Sequence, residues 1–340
     1  MKKLLSLLLT LAMMLSMAAC TAPESDPLDE EKETETTELV SETPSESDPE
    51  QEPDLPEATS TPLLYKVTGE NGGTVWLFGS IHVGIDEMYP FPDYVLDAYN
   101  EADALAVECD VIALQKDMEL MTELVQMMLY LDGSTISDHI SPELYDAAVA
   151  IMEENDSYMK ILDYYLPVMW YSTIETFTYE NYGYDSNIGI DMTLLNMAKD
   201  EDKPILEGES ARFQYEMRSS FSPELQEILL QEAVAGYNSP ENKETLDGLL
   251  KAWCDGDTDS LLLYLNEESD PDTDAETLKL IEEFTFAMET DRNIAMADYA
   301  EEILNSNDRV FICVGMAHIL GDGAMVDLLQ QRGYTVERIQ

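Results

Sequence analysis

The sequence predicts an α/β (α+β) fold: a central mixed sheet that carries two strand–Gly-x-x-His units, with a large helical layer inserted between them. Three observations lead there. The stretch Val75 to Asp86 is repeated near the end of the chain as Phe311 to Asp322, a shift of 236 positions that superposes Gly79 on Gly315, His82 on His318 and Asp86 on Asp322. Each copy is an apolar run ending at a glycine, which reads as a strand buried on both faces that then turns sharply or meets something closely. Between the copies, apolar residues recur mostly at spacings of three and four, the signature of helices packed on a core. The chain holds three histidines, and two of them fall on the repeat, just past a strand's carboxyl end. Open α/β sheets place their ligands at that edge.

In chain order, residues 1–19 read as an export signal, with Lys2 and Lys3 ahead of an apolar run and small residues before Cys20. Met17-Ala18-Ala19-Cys20 is similar to a bacterial lipobox, so Cys20 is expected to become a lipid-modified first residue. Residues 20–61 then form an acidic tether. Positions 21–60 carry fifteen acidic residues, one lysine and no aromatic, a composition that cannot bury enough apolar surface to offset its ordering entropy. The expected location is extracytoplasmic, with the membrane contacted through the lipid anchor only.

The folded part is expected over residues 62–340 as one domain. Leu63–Val67 and Thr74–Ile81 form a hairpin around the turn signal Glu70-Asn71-Gly72-Gly73. An amphipathic helix follows over Asp93–Ala102, and Ala104–Cys109 reads as a short buried strand with Glu108 at its end. A carboxylate there needs a partner, because burying an unpaired charge is costly, which makes Glu108 a candidate site residue. Helices are expected from Ile112 to about Leu131 and over Pro142–Glu154, the latter with Ser141 as N-cap and His139 in the capping region. The aromatic-rich stretch Lys160–Tyr184 reads as apolar helical core broken near Pro167. Ile188–Lys199 is helical, with Asp191 in a first turn that favours a carboxylate. Lys203–Leu206 is a short strand ending at Glu207. Further helices span Ala211–Met217, Pro223–Ala235, Lys243–Trp253, Ser260–Leu265 and, as one long element, Ala275–Leu304, which contains Arg292. Arg309–Gly315, a helix over Ala324–Arg332 and a last strand over Tyr334–Ile339 close the fold.

Charge narrows the partners. Residues 61–340 hold 56 acidic against 14 basic residues, a net charge near −42, which argues against nucleic acid or anionic lipid headgroups as ligands. Divalent cations and basic peptides are compatible with it, as is a role in solubility alone. Beyond Cys20, the cysteines Cys109, Cys254 and Cys313 are odd in number, so no complete disulfide framework is expected.

The two Gly-x-x-His copies, the Ala104–Asp110 strand, the Lys203–Glu209 stretch, Asp291-Arg292-Asn293 and the closing Phe311–Ile339 segment together resemble the TraB/GumN (TraB/PrgY) family, related to the Tiki-type metalloproteases. The resemblance covers essentially all of residues 61–340. It implies a metal-dependent peptidase using Mn or Co, with Zn possible on chemical grounds, and a peptide or protein substrate. By position it implies metal ligation by His82, His318 and Glu108, and catalytic roles for Glu108, Glu207 and Arg292. Bacterial members are associated with peptide-pheromone control and with polysaccharide loci. The chemistry is consistent: two imidazoles and a carboxylate suit Zn, Mn or Co, and whichever of Glu108 and Glu207 is not a ligand is the natural general base. Each histidine comes from a different strand end, unlike a helical His-Glu-x-x-His site. Two rival expectations stand beside this. The Gly–His pairs could close the sheet end by hydrogen bonding without metal, and the domain could be a non-catalytic surface module that sequesters a signalling peptide.

Overall fold

A computed structural model describes residues 58–265 and 273–339. The expected export signal, Cys20 and the tether as far as residue 57 lie outside the described residues. Among those described, no helix is long and apolar enough to cross a membrane.

Six strands form one mixed sheet: β1 (Leu64–Thr68), β2 (Thr74–Ser80), β3 (Ala104–Val107), β4 (Ile205–Glu207), β5 (Arg309–Gly315) and β6 (Val336–Ile339), in the order β4-β3-β5-β2-β1-β6. β4, β3, β5 and β2 run parallel, whereas β1 pairs antiparallel with both β2 and β6. β2 is buried at every position and β5 at every position but Arg309, as expected for apolar runs at the centre of a covered sheet. The two repeat strands are therefore neighbours, although more than two hundred residues separate them. Their register pairs Gly79 with Val314 and Ser80 with Gly315, one residue out of step with the sequence repeat.

Two apolar cores flank this arrangement. One is built on the sheet and includes Phe78, Trp253, Phe311 and Ile319. The other lies among the helices Pro142–Glu154, Pro167–Tyr182, Pro223–Gly236 and Ala275–Thr285, with Trp170, Ile174, Leu229 and Phe284 at its centre. Pro167 opens its helix at the first turn, where a missing N–H costs nothing, and Ser141 caps the next-earlier helix by accepting from the Leu144 N–H at 3.3 Å.

Two elements depart from expectation. The helix expected from Ile112 is interrupted, because Asp117 caps a new helix (Met118–Met127) by accepting from the Leu120 N–H. The long helix expected over Ala275–Leu304 contains a π-helical turn at Phe286–Thr290, between α-helices Ala275–Thr285 and Asp291–Leu304. Such widened turns are frequent at functional sites, and this one immediately precedes Arg292.

Candidate functional site

Three adjacent central strands, β3, β5 and β2, end on the same edge of the sheet, and Glu108, His318 and His82 follow them. Glu108 stands one residue past β3. Its Oε1 accepts from the Gly315 N–H at 2.8 Å, and its Oε2 accepts from Arg292 Nη2 at 2.6 Å and from Gln214 Nε2 at 3.3 Å. Arg292 is 3% exposed and makes a second pairing, through Nε and Nη2, with the two oxygens of Glu209 at 2.8 Å each. Its Nη1 donates to the Met288 carbonyl inside the π-helical turn at 3.1 Å, so the widened turn and the guanidinium hold one another. Gln214 closes the ring by donating to Glu209 Oε2 at 2.9 Å. This is a planar fork gripped by two carboxylates, the arrangement in which a buried ion pair is best compensated.

The imidazoles sit above that network. His318, in the short helix Met316–Ile319, has Nδ1 2.6 Å from Asn293 Oδ1 and Nε2 3.8 Å from Glu108 Oε1. His82 has Nδ1 3.4 Å from the Asp191 carboxylate. In the neutral rings, Asp191 and Asn293 Oδ1 can accept from an Nδ1–H, the tautomer that leaves the Nε2 lone pair unclaimed. A Cβ built on Gly315 would lie 3.3 Å from Glu108 Oε1, 3.6 Å from His318 Cδ2 and 4.0 Å from His82 Nε2, which shows the three side chains converging on that glycine. Trp253 Nε1 donates to the Gly79 carbonyl at 2.8 Å and anchors the other repeat glycine from the sheet core.

Electrostatics separates these groups. Burial works to raise the carboxyl of Glu108, but Arg292, both imidazoles and the Gly315 N–H outweigh it, and the group is held well below the usual carboxylate range. Burial likewise disfavours the charged form of His82, yet Asp191 and Glu108 prevail and its affinity for a proton is raised. His318 is pushed down to about 3, by burial and by the neighbouring Arg292 cation against only Glu108. Arg292 stays charged because its two carboxylates overcome burial.

Of the residues expected from sequence, His82, His318, Glu108 and Arg292 are brought together. Glu207 is not: it is exposed at the end of β4, and its Oε1 accepts from the Asp110 N–H at 2.8 Å. The acid that reaches the cluster is Glu209, two residues on, which sequence reasoning missed along with Gln214, Asn293 and the contact of Asp191. β4 continues its pairing past its last residue, with the Gly208 N–H on the Val107 carbonyl and the Glu209 N–H on the Glu108 carbonyl. Glu209 is thereby carried to the level of Glu108. His139 lies elsewhere, stacked on Tyr130 with ring centroids 4.1 Å apart. Cys109, Cys254 and Cys313 are free thiols.

Among the described residues, no group of three or more His, Cys, Asp or Glu side chains is arranged to hold a metal ion. In donor chemistry the two imidazoles do fit one: metal-ligating histidines are oriented by a hydrogen bond from the other ring nitrogen to a carboxylate or carbonyl oxygen, and both rings have that bond. Glu108 fits less directly, since Gly315 and Arg292 already occupy its oxygens.

The fold and site define an α/β protein with a buried, charge-balanced polar centre at the carboxyl edge of its sheet. The chain belongs to the TraB/PrgY/gumN family, whose model matches residues 63–338. It is 23% identical over 256 residues to the uncharacterized protein YbaP of Escherichia coli (strain K12), covering 75% of this chain and 87% of that protein. The same figures hold for the uncharacterized YbaP of Shigella flexneri. No solved structure matches the chain.

Proposed function

We propose that the domain is a metal-dependent hydrolase of peptides or protein amino-terminal segments, tethered outside the cell membrane through a lipid on Cys20. The observation that carries this reading is the matched pair of buried imidazoles, each tied through Nδ1 and each leaving Nε2 free on the side of Glu108 and Gly315. His82 and His318 would hold the ion, with Mn or Co the expected cofactor and Zn chemically suitable. When bound, such an ion supplies Lewis acidity to a scissile carbonyl and a more acidic water.

The chain's own residues supply positioning and charge. Asp191 and Asn293 fix the ring orientations. Arg292 keeps Glu108 ionised at neutral pH, and Glu108 in turn holds the Gly315 N–H, which sets where the loop bearing His318 leaves the sheet. Glu108 so stabilised is a weak base, and Glu207 faces away, which leaves Glu108 the part of an orienting anion. The acidic surface is suited to basic or neutral peptides rather than nucleic acid.

Metal content decides the matter. Protein repleted with Mn, Co or Zn is compared with a His82→Ala, His318→Ala double variant whose fold is checked by circular dichroism. Stoichiometric metal that vanishes in the still-folded variant is the expected result. If neither form holds metal, the hydrolase reading falls. A non-catalytic module that sequesters a signalling peptide is then the better account, one supported by the full engagement of Glu108 by Arg292 and Gly315.

A further inference from the structure

The loop that carries His82 and the segment that leads to Asp191 are joined backbone to backbone. Past β2, the Gly84 N–H donates to the Asp185 carbonyl at 2.9 Å and the Asp185 N–H donates back to the Gly84 carbonyl at 3.2 Å, an isolated bridge between segments far apart in sequence. The Ile190 N–H, at the start of the Ile190–Asp200 helix, donates to the Ile81 carbonyl at 3.1 Å. Tyr89 adds a side-chain stitch. Its hydroxyl donates to the Ile188 carbonyl at 2.6 Å and accepts from the Thr193 hydroxyl at 3.0 Å, so it spans the joined segment and the first turn of that helix. Residues 185–190 thus form a strap along the His82 loop, and Asp191 is the next residue. Gly84 is what lets the two backbones touch. A Cβ there would overlap the Ile188 carbonyl oxygen and stand 2.7 Å from its carbon, inside the 3.0 Å that real Cβ atoms keep. The repeat does not impose this glycine: 236 positions on, the second copy has Leu320, and His318 takes its partner Asn293 from the Asp291–Leu304 helix.

The Asp191 contact is one that a small movement of the strap would end. His82 Nδ1 is 3.4 Å from the carboxylate, at the long limit of a hydrogen bond, so a retreat of a few tenths of an ångström removes it. Which nitrogen holds the proton of a neutral imidazole is set by the hydrogen bond the other makes, and without Asp191 that choice is open. We propose that Gly84 and Tyr89 are positioning residues, which hold the 185–190 strap against the His82 loop so that Asp191 selects the tautomer with Nε2 open. Both act on one group, the Ile188 carbonyl: Gly84 leaves room for it, and Tyr89 holds it in that room. The proposal rests on the reading of His82 as a metal ligand, and it names what sets that ligand's orientation. Outer hydrogen-bond partners of ligating histidines are worth about 10–100-fold in metal affinity, which makes the supports of such a partner functional too.

The test reads the ring itself, without metal. The chain holds three histidines, so the long-range proton–nitrogen NMR spectrum of the isotope-labelled protein in EDTA is simple, and His82→Gln assigns the signal of interest. Recorded at a pH high enough to leave the ring neutral, the spectrum gives the ratio of Nδ1–H to Nε2–H forms. The native ring is expected to be mainly Nδ1–H. Gly84→Ala should lower the ratio about tenfold and Tyr89→Phe about threefold, the scale of a lost and of a weakened hydrogen bond to a charged group. Gly69→Ala is the control for strain in general. Its Cβ would overlap the Leu304 carbonyl oxygen and stand 2.8 Å from its carbon, an equal clash placed in the β1–β2 turn. There the ratio should stay within about twofold of native, since distant sites act independently. The proposal is overturned if the native ring is mainly Nε2–H, if folded Gly84→Ala or Tyr89→Phe keeps the native ratio, or if Gly69→Ala moves it as far as Gly84→Ala does. Tyr89→Phe removes one hydroxyl and keeps the ring, so it decides the question even if neither alanine variant folds. Because no metal is present, failure here is distinct from failure of the metal measurement that tests the hydrolase reading.

Discussion

The two Gly-x-x-His units are near-copies in sequence and opposites in the folded protein. The first places its imidazole against a carboxylate, Asp191, which raises its affinity for a proton; the second places its imidazole against an amide, Asn293, where burial and then the Arg292 cation lower that affinity. Their strands are neighbours, but the register is displaced by one residue from the repeat, and with a period of two that turns Gly79 and Gly315 to opposite faces of the sheet. A repeated motif thus sets where a side chain stands, while residues contributed from distant helices set what state it is in. The surroundings of one copy favour a second proton on its ring, and those of the other disfavour it.

The comparison breaks most completely at Arg292, which enforces it. Arg292→Met leaves Glu108 and Glu209 as uncompensated buried carboxylates, and removing one partner of a buried pair costs about 3–5 kcal/mol. Denaturant unfolding should show that loss, and a cost below about 1 kcal/mol would mean the network is solvated instead. The next effect is in the pH dependence of the metal-free protein. His318, at about 3 when folded against an ordinary 6.5, binds fewer protons in the native than in the unfolded state between those values, so stability falls as pH drops from 6.5 towards 3. His82 has the opposite sign: its contribution is present below 6.5 and is lost as pH rises through its raised value. His318→Asn should therefore relieve acid destabilisation by roughly 3 kcal/mol over two pH units at about 1.4 kcal/mol per unit, whereas His82→Asn should not. Equal pH profiles for the two variants would contradict the assignment.

Much of this architecture can be read from residues alone. The paired apolar runs predict adjacent buried strands, and a carboxylate closing a buried strand predicts that Glu108 has a partner. What could not be read is which groups arrive from far along the chain. Asp191 is accounted for by its helix's first turn, and nothing local ties it to His82, 109 residues away. Glu207 and Glu209 flank one glycine, and only the continuation of β4 pairing past its end carries the second of them to Arg292. The π-helical turn bound by Arg292 is similarly invisible, because Phe286–Thr290 contains neither Gly nor Pro to mark a change in the helical pattern.

Exchanging the partners of the two imidazoles sharpens the comparison further. Asp191→Asn gives His82 an amide, and Asn293→Asp gives His318 a carboxylate. A carboxylate at hydrogen-bond distance raises an imidazole by about 1–3 pKa units, so the first change should lower His82 and the second should raise His318 by amounts in that range. Proton NMR titration of the ring protons follows each separately. If His318 stays near 3 in Asn293→Asp, then Arg292 and burial dominate the second site, and the amide is incidental.

The smallest effect distinguishes the two glycines. A Cβ on Gly79 would stand 2.5 Å from Met316 Cε and 3.1 Å from its Cα, so the flexible thioether can give way but the backbone behind it cannot. On Gly315 the same atom would meet Glu108 Oε1 at 3.3 Å, a contact that tenths of an ångström relieve, and the backbone there is compatible with any residue at φ −48°. Gly79→Ala should accordingly lower stability by about 1–3 kcal/mol, as overpacking does, and leave both imidazole titrations where they were. Gly315→Ala should cost less than about 1 kcal/mol yet shift the titration of His318, since the methyl group presses on the carboxylate that faces that ring. Paired unfolding and NMR measurements separate the two. The reverse pattern would place Gly79, rather than Gly315, at the floor of the site.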